Sequence, residues 1–170
     1  MPTLEIRPET PADHAAIRRV NRRAFDQDDE ADLVDRLRTS AEPFVSLVAE
    51  LDGEIVGHIA FTPARLERHP ELHLLALAPM AVDPSQQGEG VGSRLVRAGL
   101  DRCAEELAVA VVVLGHPDFY PRFGFEPAHR FGLRFDPDVP RDAFMVLELE
   151  TGVLDEVRGT VRYHPAFDVV

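Results

Sequence analysis

Residues 79–103 constrain this chain more than any other stretch. They run Pro79-Met80-Ala81-Val82-Asp83-Pro84, then Ser85-Gln86-Gln87-Gly88-Glu89-Gly90-Val91-Gly92, then Ser93-Arg94-Leu95-Val96-Arg97 and onward to Cys103. An apolar segment with strand character enters a glycine-punctuated turn. The turn opens an amphipathic helix whose apolar face takes Val91, Leu95, Val96, Gly99, Leu100, Cys103 and Leu107. Glycine at alternate positions removes the Cβ atoms that would hold an anion away from the backbone. The helix start adds unpaired N–H groups and the positive end of its dipole. A strand, turn and helix of this kind form a diphosphate cradle made of backbone amides.

Two familiar phosphate loops do not fit. A P-loop requires lysine after its last glycine, and Gly92 is followed by Ser93. A dinucleotide fingerprint belongs to the first strand–helix unit, and here several strand-like segments come earlier. What does match is Q-x-x-G-x-G, as Gln87, Gly90 and Gly92, preceded by Val82-Asp83-Pro84. This resembles the acetyl-coenzyme A loop of the GNAT superfamily of N-acetyltransferases. Downstream, Tyr120-Pro121-Arg122-Phe123-Gly124-Phe125 is similar to the late motif of that family, a Tyr-x-x-x-Gly-Phe segment after the fifth strand. The resemblance covers residues 4–149, with a tail at 150–170. No linker, repeat or low-complexity tract interrupts it, so one domain over 1–170 is expected.

The resemblance implies an α/β fold of the α+β type. Its mixed, mostly antiparallel central sheet would have about seven strands, splayed between the fourth and fifth and flanked by about four helices. The pattern of residues is consistent with this. Residues 4–8 alternate as a first strand, possessing a proline that suits an edge. Thr10-Pro11-Ala12-Asp13 carries an N-cap threonine, a proline at the first helical position and an acid two residues later. A first helix follows, with Ile17, Val20, Ala24 and Phe25 on one face, and a second spans 29–38. In the resembled fold this pair flanks the acceptor pocket; Asn21, Arg22 and Phe25 read first as surface and core residues, with contact to substrate as the alternative. Two β-rich runs, 45–51 and 55–66, are joined by Asp52-Gly53, the type I′ hairpin signal. A strand at 72–83 contains Pro79, which cannot donate a ladder hydrogen bond and so marks a bulge or an open edge. The run 108–114 is apolar and β-branched, as in a strand buried on both faces. A further strand at 143–149 and a short one around 157–163 complete the chain.

Composition narrows the function. A formal net charge of −12 over 170 residues argues against nucleic acid, which requires a basic face. It favours a neutral or cationic acceptor, since an acidic surface repels acidic ligands at long range. One cysteine cannot form an internal disulfide, the N-terminal region is too charged for a signal peptide, and no apolar run spans a bilayer. A cytoplasmic enzyme with no membrane partner is expected. His69 and His73 are spaced H-x₃-H, but Pro70 breaks the helical geometry and no third ligand is near, so no metal is expected.

Transfer of an acetyl group from a thioester to an amine needs a neutral amine, a polarised carbonyl and a donor for the departing thiolate. The amides of Gln87, Gly88, Glu89, Gly90, Val91, Gly92 and Ser93 are assigned to the diphosphate of acetyl-coenzyme A. In the resembled fold Met80, Ala81 and Val82 pair with the pantetheine arm, and Phe123 walls the cofactor. Arg94 and Arg97 lie at the phosphate end of the helix. Tyr120 is the general acid that the resemblance implies. The base is open: members of the family that carry a strand-four glutamate have it where this chain has Ala76. His116 is the first choice, with His73, Glu54 or a water chain as alternatives. His58 and Cys103 read as core residues. The expected reaction is acetylation of a small-molecule amine by direct attack. A non-catalytic acyl-coenzyme A-binding module, or acetylation of a protein or peptide amine, stays open, and the resemblance leaves room for a homodimer.

Overall fold

The computed structural model describes residues 3–135 and 138–169; positions 1–2, 136–137 and 170 of the expected span lie outside the described residues. The elements are β1 (Leu4–Pro8), α1 (His14–Phe25), α2 (Asp29–Ser40), β2 (Val45–Leu51), β3 (Glu54–Leu66) and β4 (His69–Val82). They continue with α3 (Val91–Glu105), β5 (Ala110–Leu114), β6 (Glu126–Pro127), β7 (Leu133–Arg134), β8 (Phe144–Glu148) and β9 (Gly159–Tyr163). The sheet runs β1-β2-β3-β4-β5-β8-β6, with β9 added to β3 and β7 added to β9. Every pairing is antiparallel except β4 with β5 and β7 with β9. The mixed, mostly antiparallel sheet is the one expected, with nine strands and three α-helices among the described residues. The two strands beyond seven are β6 and β7, two-residue segments too short to show a periodicity, while the tail strand falls at β9 as expected.

Local chemistry explains the first half. Asp13 Oδ2 accepts from Thr10 N at 2.7 Å and Thr10 Oγ1 at 3.1 Å, and its carboxyl is held far below the usual range, chiefly by Arg7. This knot starts α1. Asp52 and Gly53 both take positive φ, 50° and 87°, as a type I′ turn requires. Strand alternation then sorts the core onto two faces. Leu75 and Leu77 join Leu47, Ile59 and Phe61 beneath Leu95, Val96 and Cys103 of α3. Leu74 and Ala76 face the other way, towards Phe144, Val146 and Leu133. Val48, Ile55 and Ala81 on that second face pack against Ile17, Val20 and Val34 of α1 and α2.

The second face also carries a buried polar chain. Ser46 Oγ donates to the Glu9 carboxylate, so its oxygen accepts from His58 Nε2–H at 2.9 Å. His58 Nδ1 is left to accept from Asn21 Nδ2 at 3.3 Å. His58 is wholly buried, and desolvation lowers its pKa to about 4, so it is neutral. It is a satisfied interior histidine, as its place inside a strand suggested.

β4 and β5 pair only where Leu74–Leu77 face Ala110–Val113. Beyond that β4 runs on to Val82, while β5 ends at Leu114 and Gly115 N–H donates to Ala143 O at 2.9 Å. The strands therefore part from Ala78. On the other side, the β3–β4 register slips between Ile59 and Phe61, opposite Ala78 and Pro79. The mid-strand proline sits where the ladder is broken on both sides.

Candidate active site

The mouth of the splay is set by Asp83 and its partners. Asp83 accepts from Ser85 N at 3.0 Å and Ser85 Oγ at 2.8 Å, and Arg23 Nε of α1 donates to its other oxygen at 2.7 Å. Arg23, and then Ser85, hold the Asp83 carboxyl at a pKa of about 2 against the opposing effect of burial. Gln87 turns back so that its Nε2 donates to Val82 O at 3.0 Å. Gln87 thus fixes the shape of the loop with its side chain, a role in addition to the amide assigned to it.

Between these anchors the backbone is open. Arg94 N–H donates to Gly90 O at 3.2 Å, the first bond of α3. No hydrogen bond among the described residues occupies the amides of Gln87, Gly88, Glu89, Gly90, Val91, Gly92 or Ser93. Gly88 and Gly90 have φ of 80° and 84°, the left-handed region that suits glycine. A Cβ built on Gly90 would meet no atom within 4 Å, so the conformation of the turn, and not crowding within the protein, is what calls for glycine there.

The loop forms one wall of a cleft of about 770 Å³. Met80 and Val82 of β4 line its floor, with Gln87, Gly88, Gly90, Val91, Gly92 and Ser93 along one side. His116, Phe119 and Tyr120 form the other side, and Phe25 of α1 stands at the rim. Of the residues singled out from the sequence, Ala81, Glu89 and Phe123 are not among those lining this cleft. Ala81 is buried against α1, Glu89 is exposed, and Phe123 lies under the Arg97 guanidinium. Phe119 takes the wall position instead and packs edge-on against both Tyr120 and Phe123, with ring centroids 5.0 and 5.2 Å away.

Tyr120 is 7% exposed, and its hydroxyl has no partner among the described residues. Burial pushes its phenol up to about 12. The ring packs closely against Gly115: a Cβ there would come within 2.4 Å of Tyr120 Cε2. Gly115 is therefore a determinant of the site that sequence reasoning passed over, since a glycine at a strand end reads as an ordinary turn. The Arg23–Asp83 clamp was equally hidden, as its partners lie on separate elements.

The three candidate bases fall in different places. His116 is exposed on the cleft wall. His73 stands at the opposite end of β4, where its carbonyl accepts from Val109 N–H. Glu54 lines a separate groove beside Asp83 and Arg19. Ala76 is fully buried. No group of three or more potential metal ligands occurs among the described residues.

A splayed mixed sheet with an open amide loop at its mouth is the frame of an acyltransferase. The family model described as an acetyltransferase (GNAT) domain matches residues 5–128, and the chain belongs to that family. An uncharacterized N-acetyltransferase of Escherichia coli K12, YhbS, is 40% identical over 164 residues, 96% of this chain and 98% of that protein. The crystal structure of E. coli YhbS in complex with CoA superposes with a TM-score of 0.90 at 39% identity, covering 97% of this chain and 92% of that one. A GNAT family acetyltransferase from Brucella melitensis, solved with acetyl-CoA, gives a TM-score of 0.81 at 36% identity, covering 98% and 99% of the two chains.

Proposed function

We propose that this acetyltransferase uses acetyl-coenzyme A and acetylates an amine of a small molecule by direct attack in a ternary complex. The observation that carries the reading is the run of unengaged amides at 87–93, opening on the cleft that also holds Tyr120. The two relatives solved with CoA and acetyl-CoA, alike in fold over nearly the whole chain, support the choice of ligand.

The loop amides and the α3 dipole would hold the diphosphate, and the parted edge of β4 at Met80 and Val82 would receive the pantetheine arm. The amine nitrogen attacks the thioester carbonyl carbon, a C–N bond forms and the C–S bond breaks. Tyr120 gives its proton to the departing sulfur, and the amine proton passes to His116 or to water. A phenol at about 12 is a weak acid, yet the thiolate leaves in the same dry surroundings, which raise its proton affinity as well. Burial acts in the same direction on the core thiol of Cys103, pushing it up to about 12.

Calorimetry with acetyl-coenzyme A, followed by thiol release across simple amines, polyamines, amino acids and peptides, tests the reading. Micromolar binding with turnover of a small amine is expected. Binding without thiol release from any amine would identify a non-catalytic module, and turnover of peptides alone would move the acceptor to proteins. In Gly90→Val the strain of a β-branched residue at φ 84° is expected to weaken coenzyme binding at least about tenfold. Unchanged affinity would remove the loop from the binding site.

A further inference from the structure

A second cavity, of about 620 Å³, lies on the face of the sheet that carries Leu74, Ala76 and Phe144. Its apolar wall is Phe135 stacked on Phe144, with centroids 5.1 Å apart and ring planes 27° from parallel. The rest of its rim carries Arg134, Arg141, Arg158 and His129. No carboxylate lines it among the described residues, and none of the three arginines has an ion pair there. His129 is held by Asp142 at 3.1 Å. In a chain with 30 acidic and 18 basic residues, three arginines around one cavity with no ion pair among the described residues run against the composition.

The cavity adjoins the reaction centre through the backbone. Phe144 is the register partner of Leu114, the last residue of β5, and Ala143 O accepts from Gly115 N–H. Gly115 is the residue on which the Tyr120 ring rests. Phe135 also meets Tyr163, at 5.0 Å between ring centroids, and the buried Tyr163 hydroxyl has no hydrogen-bond partner among the described residues.

We propose that the acceptor amine carries an anionic group, a carboxylate or a phosphate, that docks on Arg134, Arg141 and Arg158 while its apolar body lies on Phe135 and Phe144. This rests on the amine-acetylating reading given above. A guanidinium fork matches either oxyanion, and an aromatic wall beside it suits the carbon skeleton between the anion and the amine. The net charge of −12 favours the opposite kind of acceptor at long range, but screening at physiological salt has a length of about 8 Å, so groups in contact with the ligand outweigh distant carboxylates.

The test compares matched amines in the thiol-release assay: 4-(aminomethyl)benzoate against benzylamine, and phosphoethanolamine against ethanolamine. In the wild type kcat/KM is expected to favour the anionic member of at least one pair by about tenfold or more, and the KM of that member is expected to rise with added salt. In Arg141→Gln/Arg158→Gln the preference and the salt effect are expected to collapse. Unchanged acetyl-coenzyme A affinity and circular dichroism would show that the variant is folded, and Arg141→Lys should keep part of the preference. The pair that responds says whether carboxylate or phosphate is the natural group. Turnover of amines without anion preference, or a preference that survives the double variant, overturns the inference and leaves the acetyltransferase reading standing. If neither anionic amine is turned over, or bound by calorimetry in the presence of coenzyme A, the inference also fails. The acetyltransferase reading itself falls only if the wider amine panel releases no thiol.

Discussion

Tyr120, the proposed proton donor, packs against Gly115, which leaves room for its ring only because it has no Cβ. Tyr120→Phe keeps the ring and its edge contacts with Phe119 and Phe125, 5.0 and 5.7 Å away, and removes only the hydroxyl proposed as the proton donor. The expected outcome is a fall in kcat of about a hundredfold, the ordinary scale of general acid catalysis. Calorimetric affinity for acetyl-coenzyme A should be nearly unchanged. A kcat equal to wild type, with chemistry shown to limit the rate, would make Tyr120 a packing residue. Gly115→Ala reaches the same chemistry by a different route. Its Cβ would lie 2.4 Å from Tyr120 Cε2, so the ring must tilt away. This variant should lose kcat although the tyrosine is intact, and wild-type turnover from it would show that the ring has room to adjust.

Among the elements, those governed by local rules were legible from residues alone. The Thr10–Asp13 knot, the Asp52-Gly53 turn and the strand–loop–helix at 79–103 each have their cause within a few neighbours in sequence. The break in pairing at Pro79 was legible for the same reason, because a missing N–H is a property of one residue. Pairings between distant segments were not. Nothing in Leu133-Arg134 announces a strand, and β7 exists only because β9 lies beside it. Phe119 and Phe123 are equivalent in composition, and only the turn between them decides which ring meets the cleft. The buried chain of Glu9, Ser46, His58 and Asn21 likewise joins β2, β3, α1 and the segment after β1, so no local pattern reveals it. It has a measurable consequence. His58 has a folded pKa of about 4, through burial first and Arg38 also, with Glu9 opposing. Unfolded histidine takes up its proton near 6.5, so the unfolded chain binds that proton first as the pH falls. His58 therefore contributes stability that is complete above about pH 6.5 and is lost towards pH 4, by at most ~3 kcal/mol. Glu9, whose folded pKa is also lowered despite its burial, chiefly by Arg38 and Ser46, adds a loss of the same sign at lower pH, and His14 contacts the same carboxylate. Urea unfolding at about pH 7 and about pH 5 should show the loss in the wild type and a smaller one in His58→Gln. Equal midpoints in the wild type at both values would contradict the buried neutral imidazole.

Across the whole molecule the cations are all of one kind: the 18 basic residues are arginine, and the chain has no lysine. For a protein proposed to pass acetyl groups to amines, this removes every side-chain amine from its own surface, since a guanidinium stays protonated at any working pH. The single cysteine offers no alternative nucleophile, because Cys103 is wholly buried, does not line the cleft, and burial pushes its thiol up to about 12. The cleft itself is lined by no lysine or cysteine. Direct attack by a bound amine is then the route that the chemistry of the chain leaves simplest. Intact-protein mass spectrometry after incubation with acetyl-coenzyme A and no acceptor should show the unmodified mass on the timescale of turnover. A stoichiometric gain of one acetyl group, removed on adding an amine, would establish an acetyl-enzyme and overturn the ternary-complex mechanism. The absence of lysine makes that readout clean, because slow chemical acetylation has no ε-amine on this chain to label.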